Sequence, residues 1–270
     1  MSSHSVQAAL CPTDLILPTH GLVTVSIVSH GQLSLILPLL EQLNSYSAPF
    51  VERVVLTMNV PEEDVLAGLS WRFTLDRVYN ESPLGFGANH NRAFAYCRSP
   101  WFLVLNPDIR LVCDVLQPLM GAAHSSAGLL APRVVEPGAP GPEPYRRLVT
   151  PWEVCARRWL NHVPPGRPHW IPGMFMLFRA QAYQAVGGFD AQRYFMYGED
   201  VDLCARLRLA GWQIQVEEGQ CVEHHAQRAS HRNWRYLRWH VTSLLKLWAS
   251  RPFWRYRHLL KKERSINDPT

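Results

Sequence analysis

The sequence contains no CxxC pair. Its six cysteines stand singly at 11, 97, 113, 155, 204 and 221, each among apolar or helix-forming neighbours. Such spacing argues against a disulfide framework and for buried thiols in a reducing compartment. The first twenty residues lack a basic start followed by an apolar core, so they do not read as a secretory signal. No apolar run approaches the ~20 residues needed to cross a bilayer. The expected location is therefore the cytoplasm. There is no internal repeat, and the 21 prolines and 16 glycines are scattered, which argues against a broad disordered tract. The one local concentration, Glu136 to Pro144 (EPGAPGPEP), reads as a mobile surface loop. No nucleic-acid recognition motif is present, so a pI near 9.0 does not make nucleic acid the expected partner.

A chain of 270 residues, 47% hydrophobic and 18% charged, can bury one sizeable core. Its net charge of +5 is unevenly distributed. From Arg228 onward there are 11 Lys or Arg against two acids, Glu263 and Asp268, so the tail carries +9 and the body −4. The two read as different parts: an N-terminal extension over 1–20, a body over 21–227 and a basic, aromatic helical tail over 228–270.

Leu22 to Ser29 (LVTVSIVS) has the β-branched content and length of a buried strand. A leucine-periodic segment follows, and Pro38 places the start of its helix near Ser34, with the proline in the first turn. Arg53 to Met58, Arg72 to Tyr79 and Trp101 to Leu105 read as further strands. Gly85 to Cys97 opens on glycines and becomes helical. Strands alternating with helices over the first 130 residues predict a mostly parallel α/β sheet, in which ligands bind beyond the carboxyl ends of the strands. Met174 to Arg179 reads as another strand, and Glu199 to Leu209 as a helix closed by Gly211. Asn233 to Trp248 reads as a long helix.

The candidate chemistry is made of individually weak signals. Asp108 follows a buried strand and a proline, a position that suits a hard cation bridging protein to diphosphate, or an ordinary strand-to-turn residue. Glu199 and Asp200 open a helix. Acids there complement the helix dipole, and adjacent carboxylates also suit a base with a neighbour that tunes it. Asp202 and Arg206 have the spacing of a helix ion pair. His224 and His225 follow a strand-like stretch and could ligate a metal or serve structure alone. Gly85-Phe86-Gly87 permits a close backbone approach, as any GxG does.

The order of these signals is more specific than any one of them. Gly187 to Trp212 (GGFDAQRYFMYGEDVDLCARLRLAGW), Leu84 to Ala93 (LGFGANHNRA), Asn106-Pro107-Asp108 and Trp170 to Met176 (WIPGMFM) occur in series. Together they resemble family 2 of the inverting glycosyltransferases, in particular its rhamnosyltransferase-like branch, from about Val23 to about Trp248. The resemblance implies a GT-A fold: α/β, Rossmann-like, with a mostly parallel central sheet, here followed by the helical tail. It implies a divalent metal, Mg²⁺ or Mn²⁺, held by Asp108 and His224, with His225 the alternative. It makes Asp200 the general base, with Glu199 beside it. Donor contacts fall on Ser29, Asn59, Gly85, Asn89, Asn91, Arg92, Asn106 and Gly173. The implied reaction moves a sugar, rhamnose from dTDP-L-rhamnose first, onto a hydroxyl of a glycan or lipid-linked glycan in bacterial-type cell-surface polysaccharide synthesis.

Three departures accompany the resemblance. Met58 stands where an acid is usual at the end of the second strand, Ser29-His30 replaces a tyrosine-asparagine, and the metal motif offers a single carboxylate. Alternative readings are another nucleotide-sugar donor, or a basic module that binds lipid or nucleic acid without transferring anything. In the tail, Trp234, Leu237, Val241, Leu244 and Leu245 form a stripe expected to pack on the body. The segment after Ser250 (RPFWRYRHLLKKER) suits an anionic membrane surface, with the protein held peripherally on the inner face of the cytoplasmic membrane.

Overall fold

The computed structural model describes residues 21–154, 164–225 and 234–267; the 1–20 extension and the 228–233 start of the tail lie outside the described residues. One eight-stranded sheet forms the centre, in the order β3-β2-β1-β4-β7-β6-β8-β5. Its strands are β1 Val23–Ser29, β2 Val51–Met58, β3 Thr74–Tyr79, β4 Trp101–Leu105, β5 Ile109–Arg110, β6 Ala127–Val135, β7 Phe175–Arg179 and β8 Gln213–His224. Four of them, β3-β2-β1-β4, are parallel. Beyond β4 the sheet is mixed: β7 is antiparallel to β4 and β6, β8 is parallel to β6, and β5 is antiparallel to β8.

The sequence of β4 explains why this half is parallel and internal. All five residues of WFLVL are buried. Leu103 and Leu105 join one core cluster, with Val25, Ile27 and Leu56, while Phe102 and Val104 join the other, with Val55 and Phe178. A strand covered on both faces reads as a continuous apolar run, with no polar alternation. In β1 the second face carries Thr24 and Ser26, fully buried but paired: Thr24 Oγ1 lies 2.9 Å from Ser99 Oγ, and Ser26 Oγ 2.7 Å from His90 Nδ1.

The first core is covered by α1, Leu33–Gln42, which continues into a π-helical turn, Leu43–Ser47. The helix begins at Leu33, so Pro38 lies in its second turn and not its first; Ile36, Leu39 and Leu40 on either side of the proline are fully buried, and that packing holds the helix together. The second core is covered by α2 Phe86–Phe94, α4 Ala180–Ala185 and α5 Glu199–Leu209, while α3 Leu116–Gly121 lies on the first.

The tail forms α6, Trp234–Trp248, and α7, Arg251–Asn267. The expected stripe is corrected here. Val241 is 47% and Leu245 58% exposed, while Ser243 and Leu247 face inward; the side chains of Trp234 and Leu237 lie outside the described residues. Polar contacts set this orientation: Ser243 Oγ donates to Met196 O (2.7 Å) and Lys246 Nζ to Arg193 O (2.8 Å). The segment after Ser250 is also not a free-standing anchor. Phe253 and Tyr256 are buried in the second core with Val201 and Leu203, and Tyr256 Oη donates to His169 O (2.6 Å). This helix over α5 buries that helix almost all round. No described helix is long and apolar enough to cross a membrane.

Candidate functional site

Parallel pairing of β1, β2 and β4 brings their carboxyl ends to one edge, and Ser29, Asn59 and Asn106 stand at or just beyond those ends. Asn106 N donates to Met174 O (2.9 Å), which ties the Asn106-Pro107-Asp108 turn to the segment entering β7. One residue earlier, Gly173 N donates to Asp200 Oδ2 (3.3 Å). The Gly173-Met174 dipeptide therefore joins the Asp108 turn to the head of α5.

Asp108 faces β8. Ile109 pairs with His224 in antiparallel register, and His225 N donates to Asp108 O (2.9 Å). The two side chains meet: His224 Nε2 is 3.3 Å from Asp108 Oδ2, and both are 15% exposed. Each retains one buried polar atom without a partner, Asp108 Oδ1 and His224 Nδ1. The hydrogen bond to Asp108 raises the His224 pKa against the opposing effect of burial. His225 is half-exposed and turns to Glu223 (2.9 Å). Of the two histidines, His224 is the one beside Asp108.

Reading 136–144 as a surface loop missed two carboxylates. Glu143 N donates to Val134 O (2.8 Å), folding the segment back along β6. Glu136, Glu143 and His224 then present ligand atoms within 4.8 Å of one another. These are two carboxylates and one imidazole, a donor set that fits a divalent cation of the Mg²⁺ or Mn²⁺ kind, and Asp108 adjoins it through His224. Nothing in the local pattern of EPGAPGPEP announces this, because the return of the chain to β6 is a tertiary event.

At the head of α5 the backbone is forced. Tyr197 has φ 72°, the one positive value outside glycine among the described residues, and Gly198 follows at φ 83°. This turn presents Glu199 and Asp200 inward at the first turn of α5, where backbone N–H groups favour negative charge. Glu199 is 6% exposed, with Oε2 buried and unpartnered. Burial first, and then the charge of Asp200, raises its pKa to about 8. Asp200 is also raised by burial, but Val201 N (2.8 Å), the charge of Arg146 and Gly173 N all favour its ionised form. The contacts that favour the ionised form thus fall on Asp200, while burial and the charge of Asp200 hold Glu199 toward its neutral form. Asp202 pairs with Arg206 at 2.7 Å, as its spacing predicts, but at 3% exposure for the acid the pair belongs to the interior.

Arg146 was not singled out in the sequence. It lies over the Trp170 ring (5.4 Å) and, with Trp170, Ile171 and Pro172, lines a partly open cavity next to Gly173.

The remaining predicted donor residues are held by the protein itself. Asn59 Oδ1 accepts from Leu84 N and Asn80 Nδ2 (both 2.8 Å), and Asn89 accepts from Asn80 (2.7 Å) and donates to Leu84 O (3.2 Å). Ser29 Oγ accepts from Gln32 N (3.1 Å). Asn91 bonds to Phe189 and Tyr183, and Arg92 donates to Tyr79 O and Asn80. These side chains shape the mouth of the sheet, holding the Leu84 loop and the Phe189 turn in place. Gly85 is required by contact: a Cβ there would sit 2.3 Å from Phe195 O, which accepts from Phe86 N (3.0 Å). Met58 points into the first core.

Comparison with known proteins follows the same lines. Residues 167–241, which include Gly173, the α5 head and His224, match the family described as glycosyltransferase like family 2. Over those residues the chain is similar to the family 2-like glycosyltransferases. It is 27% identical over 249 residues to rhamnosyltransferase WbbL of Escherichia coli (strain K12), covering 84% of this chain and 93% of that protein. It is 32% identical over 175 residues to the N-acetylglucosaminyl-diphospho-decaprenol L-rhamnosyltransferase of Mycobacterium tuberculosis (strain ATCC 25618 / H37Rv). That match covers 53% of this chain and only 56% of the relative's length. Among solved structures, GalNAc-T7 with UDP, GalNAc and Mn²⁺ superposes with a TM-score of 0.61 at 14% identity, over 79% of this chain and 45% of that one. The mannosyltransferase PcManGT from Pyrobaculum calidifontis, in complex with GDP-Man and Mn²⁺, gives 0.56 at 13% identity over 81% and 61%. These likenesses show the GT-A fold.

Proposed function

We propose that this protein is a family 2-type inverting transferase that moves a sugar from a nucleotide-sugar donor to a glycan or lipid-linked glycan hydroxyl, with Asp200 as the general base. One observation carries the reading: Asn106 N bonds to Met174 O and Gly173 N to Asp200 Oδ2, so a cation-type donor set and an oriented carboxylate share one strand entrance.

Asp200 is oriented by Gly173 N and Val201 N, and Glu199 beside it is held toward its neutral form by burial and by the charge of Asp200. A carboxylate so placed accepts the proton of an attacking hydroxyl late in the step. Asp108 and His224, with Glu143 and Glu136 nearby, would hold a divalent cation. Such a cation, when bound, offsets the negative charge that gathers on the departing nucleoside diphosphate. Arg146 and Trp170 line the cavity next to Gly173, where an acceptor sugar would lie against an aromatic face and a cation. The rhamnosyltransferases among the relatives make dTDP-L-rhamnose the first donor to try.

Calorimetry with nucleoside diphosphates tests the reading. The protein is expected to bind one with Mg²⁺ or Mn²⁺ and to lose it in EDTA. A protein that ignores nucleoside diphosphates in both conditions is a binding module of another kind, and the proposal fails.

A further inference from the structure

Two adjacent chain segments form a wall with different chemistry on its two sides. His169 N donates to Arg146 O, Leu148 N to His169 Nδ1, and Trp170 Nε1 to Arg147 O, each at 3.0 Å. Arg146 and Trp170 line the cavity next to Gly173, and Arg147 and His169 line a second, larger groove. Helix α7 closes that groove with Arg257, Lys261 and Arg264, which share one face at i, i+4 and i+7.

The groove is open to solvent. Its charged lining comprises five cations, Arg147, Arg167, Arg257, Lys261 and Arg264, against one carboxylate, Glu153. Arg167 pairs with Glu263 (2.9 Å), and Arg147 lies 3.9 Å from Glu153. That leaves Arg257, Lys261 and Arg264 without a carboxylate partner among the described residues. The field is felt nearby: burial first, and then Arg147 and Arg167, hold the His169 pKa down to about 4. A concave wall of one sign concentrates counter-ions of the other, and planar guanidinium groups match phosphate oxygens in pairs.

We propose that this groove is a binding site for a phosphate-bearing anion, set back to back with the cavity next to Gly173. Phosphate chemistry of this kind comes from two sources, an anionic phospholipid headgroup or a free or acceptor-borne diphosphate. Trp152, 76% exposed beside the groove residues Thr150 and Glu153, suits the headgroup layer. The site is independent of the transfer chemistry and requires neither donor nor metal.

The test uses the full chain in EDTA, without nucleotide sugar, so its outcome is separate from that of the transferase reading. Flotation with phosphatidylcholine vesicles, with and without phosphatidylglycerol, reads the headgroup source; calorimetry with inorganic diphosphate reads the other. The exposed pair Lys261→Ala/Arg264→Ala is compared with wild type and with the charge-conserving Lys261→Arg/Arg264→Lys, each checked by thermal melting. Binding to phosphatidylglycerol vesicles or to diphosphate is expected at low salt. It should weaken roughly tenfold or more in the alanine pair, since each basic group near an anionic surface counts for about a fivefold change, and it should persist in the conservative pair. Vesicle binding alone assigns the headgroup, and diphosphate binding alone assigns the soluble or acceptor source. Binding to neither, equal binding to neutral vesicles, or equal binding by the alanine pair overturns the proposal.

Discussion

His224 Nε2 lies 3.3 Å from Asp108 Oδ2 across the antiparallel pairing of β5 and β8, and each residue keeps one buried polar atom unpartnered. Two such atoms, left unsatisfied in a partly buried site, mark a place where the fold accepts a cost in the absence of a ligand. The first prediction follows. Asp108→Ala and His224→Ala should each abolish the metal-dependent thermal stabilisation by a nucleoside diphosphate, while His225→Ala, whose ring faces Glu223, should retain it. Equal loss in all three would remove the distinction between the two histidines.

Asp200→Asn preserves shape and the bonds from Gly173 N and Val201 N but cannot accept a proton. General-base contributions run ~10²–10⁴-fold, so transfer to an acceptor should fall by about that much with donor affinity nearly unchanged. Transfer near the wild-type rate would exclude Asp200 as the base.

Glu199 supplies a pH prediction. Its pKa is raised from 4.5 to about 8, burial being the larger cause and Asp200 the next. Between those values the folded state binds more protons than the unfolded one, so this group's contribution to stability falls as pH rises from about 5 to 8. Glu199→Gln removes the titration. Its melting temperature should gain on the wild type across that interval, by about 2–4 °C per kcal/mol. Parallel melting curves for the two proteins over pH 5–8 would contradict the burial of an uncompensated carboxyl.

A tertiary clash at Gly85 gives a stability prediction. Gly85→Ala places a Cβ 2.3 Å from a backbone oxygen, so the chain must shift; overpacking of this kind costs about 1–3 kcal/mol. Gly121→Ala, at the end of α3 with open space around it, is the control and should be close to neutral in chemical denaturation.

Much of this organisation is legible in the sequence, for identifiable reasons. β4 and α5 have the bounds their residues predict, because a doubly covered strand and an acid-headed helix closed by glycine are local signals. β6 was not read, since Pro132 sits inside it; the register between β6 and β8 shifts beside that residue, which is how the sheet accommodates a proline. The tail's buried face was misread because a helical stripe identifies an apolar side without saying what lies opposite. Ser243 and Lys246 dock by hydrogen bonds to Met196 O and Arg193 O, carbonyls supplied by a distant loop. The carboxylates of Glu136 and Glu143 and the guanidinium of Arg146 reach the site by the same kind of long-range return. The wedge of Phe253 and Tyr256 under α7 also changes what truncation would do: removing the chain after Ser250 exposes the core around α5 and should destabilise the whole domain, since Phe→Ala alone at such positions costs about 3–5 kcal/mol.

The central claim is metal-assisted transfer from a nucleotide sugar, and nucleoside diphosphate release measures it most directly. A panel of nucleotide sugars incubated with the wild-type protein and Mn²⁺ or Mg²⁺ should give slow release from one donor, abolished by EDTA and by Asp108→Ala. Release that is indifferent to metal and to Asp108, or no release from any donor with or without a glycan acceptor, would contradict the account.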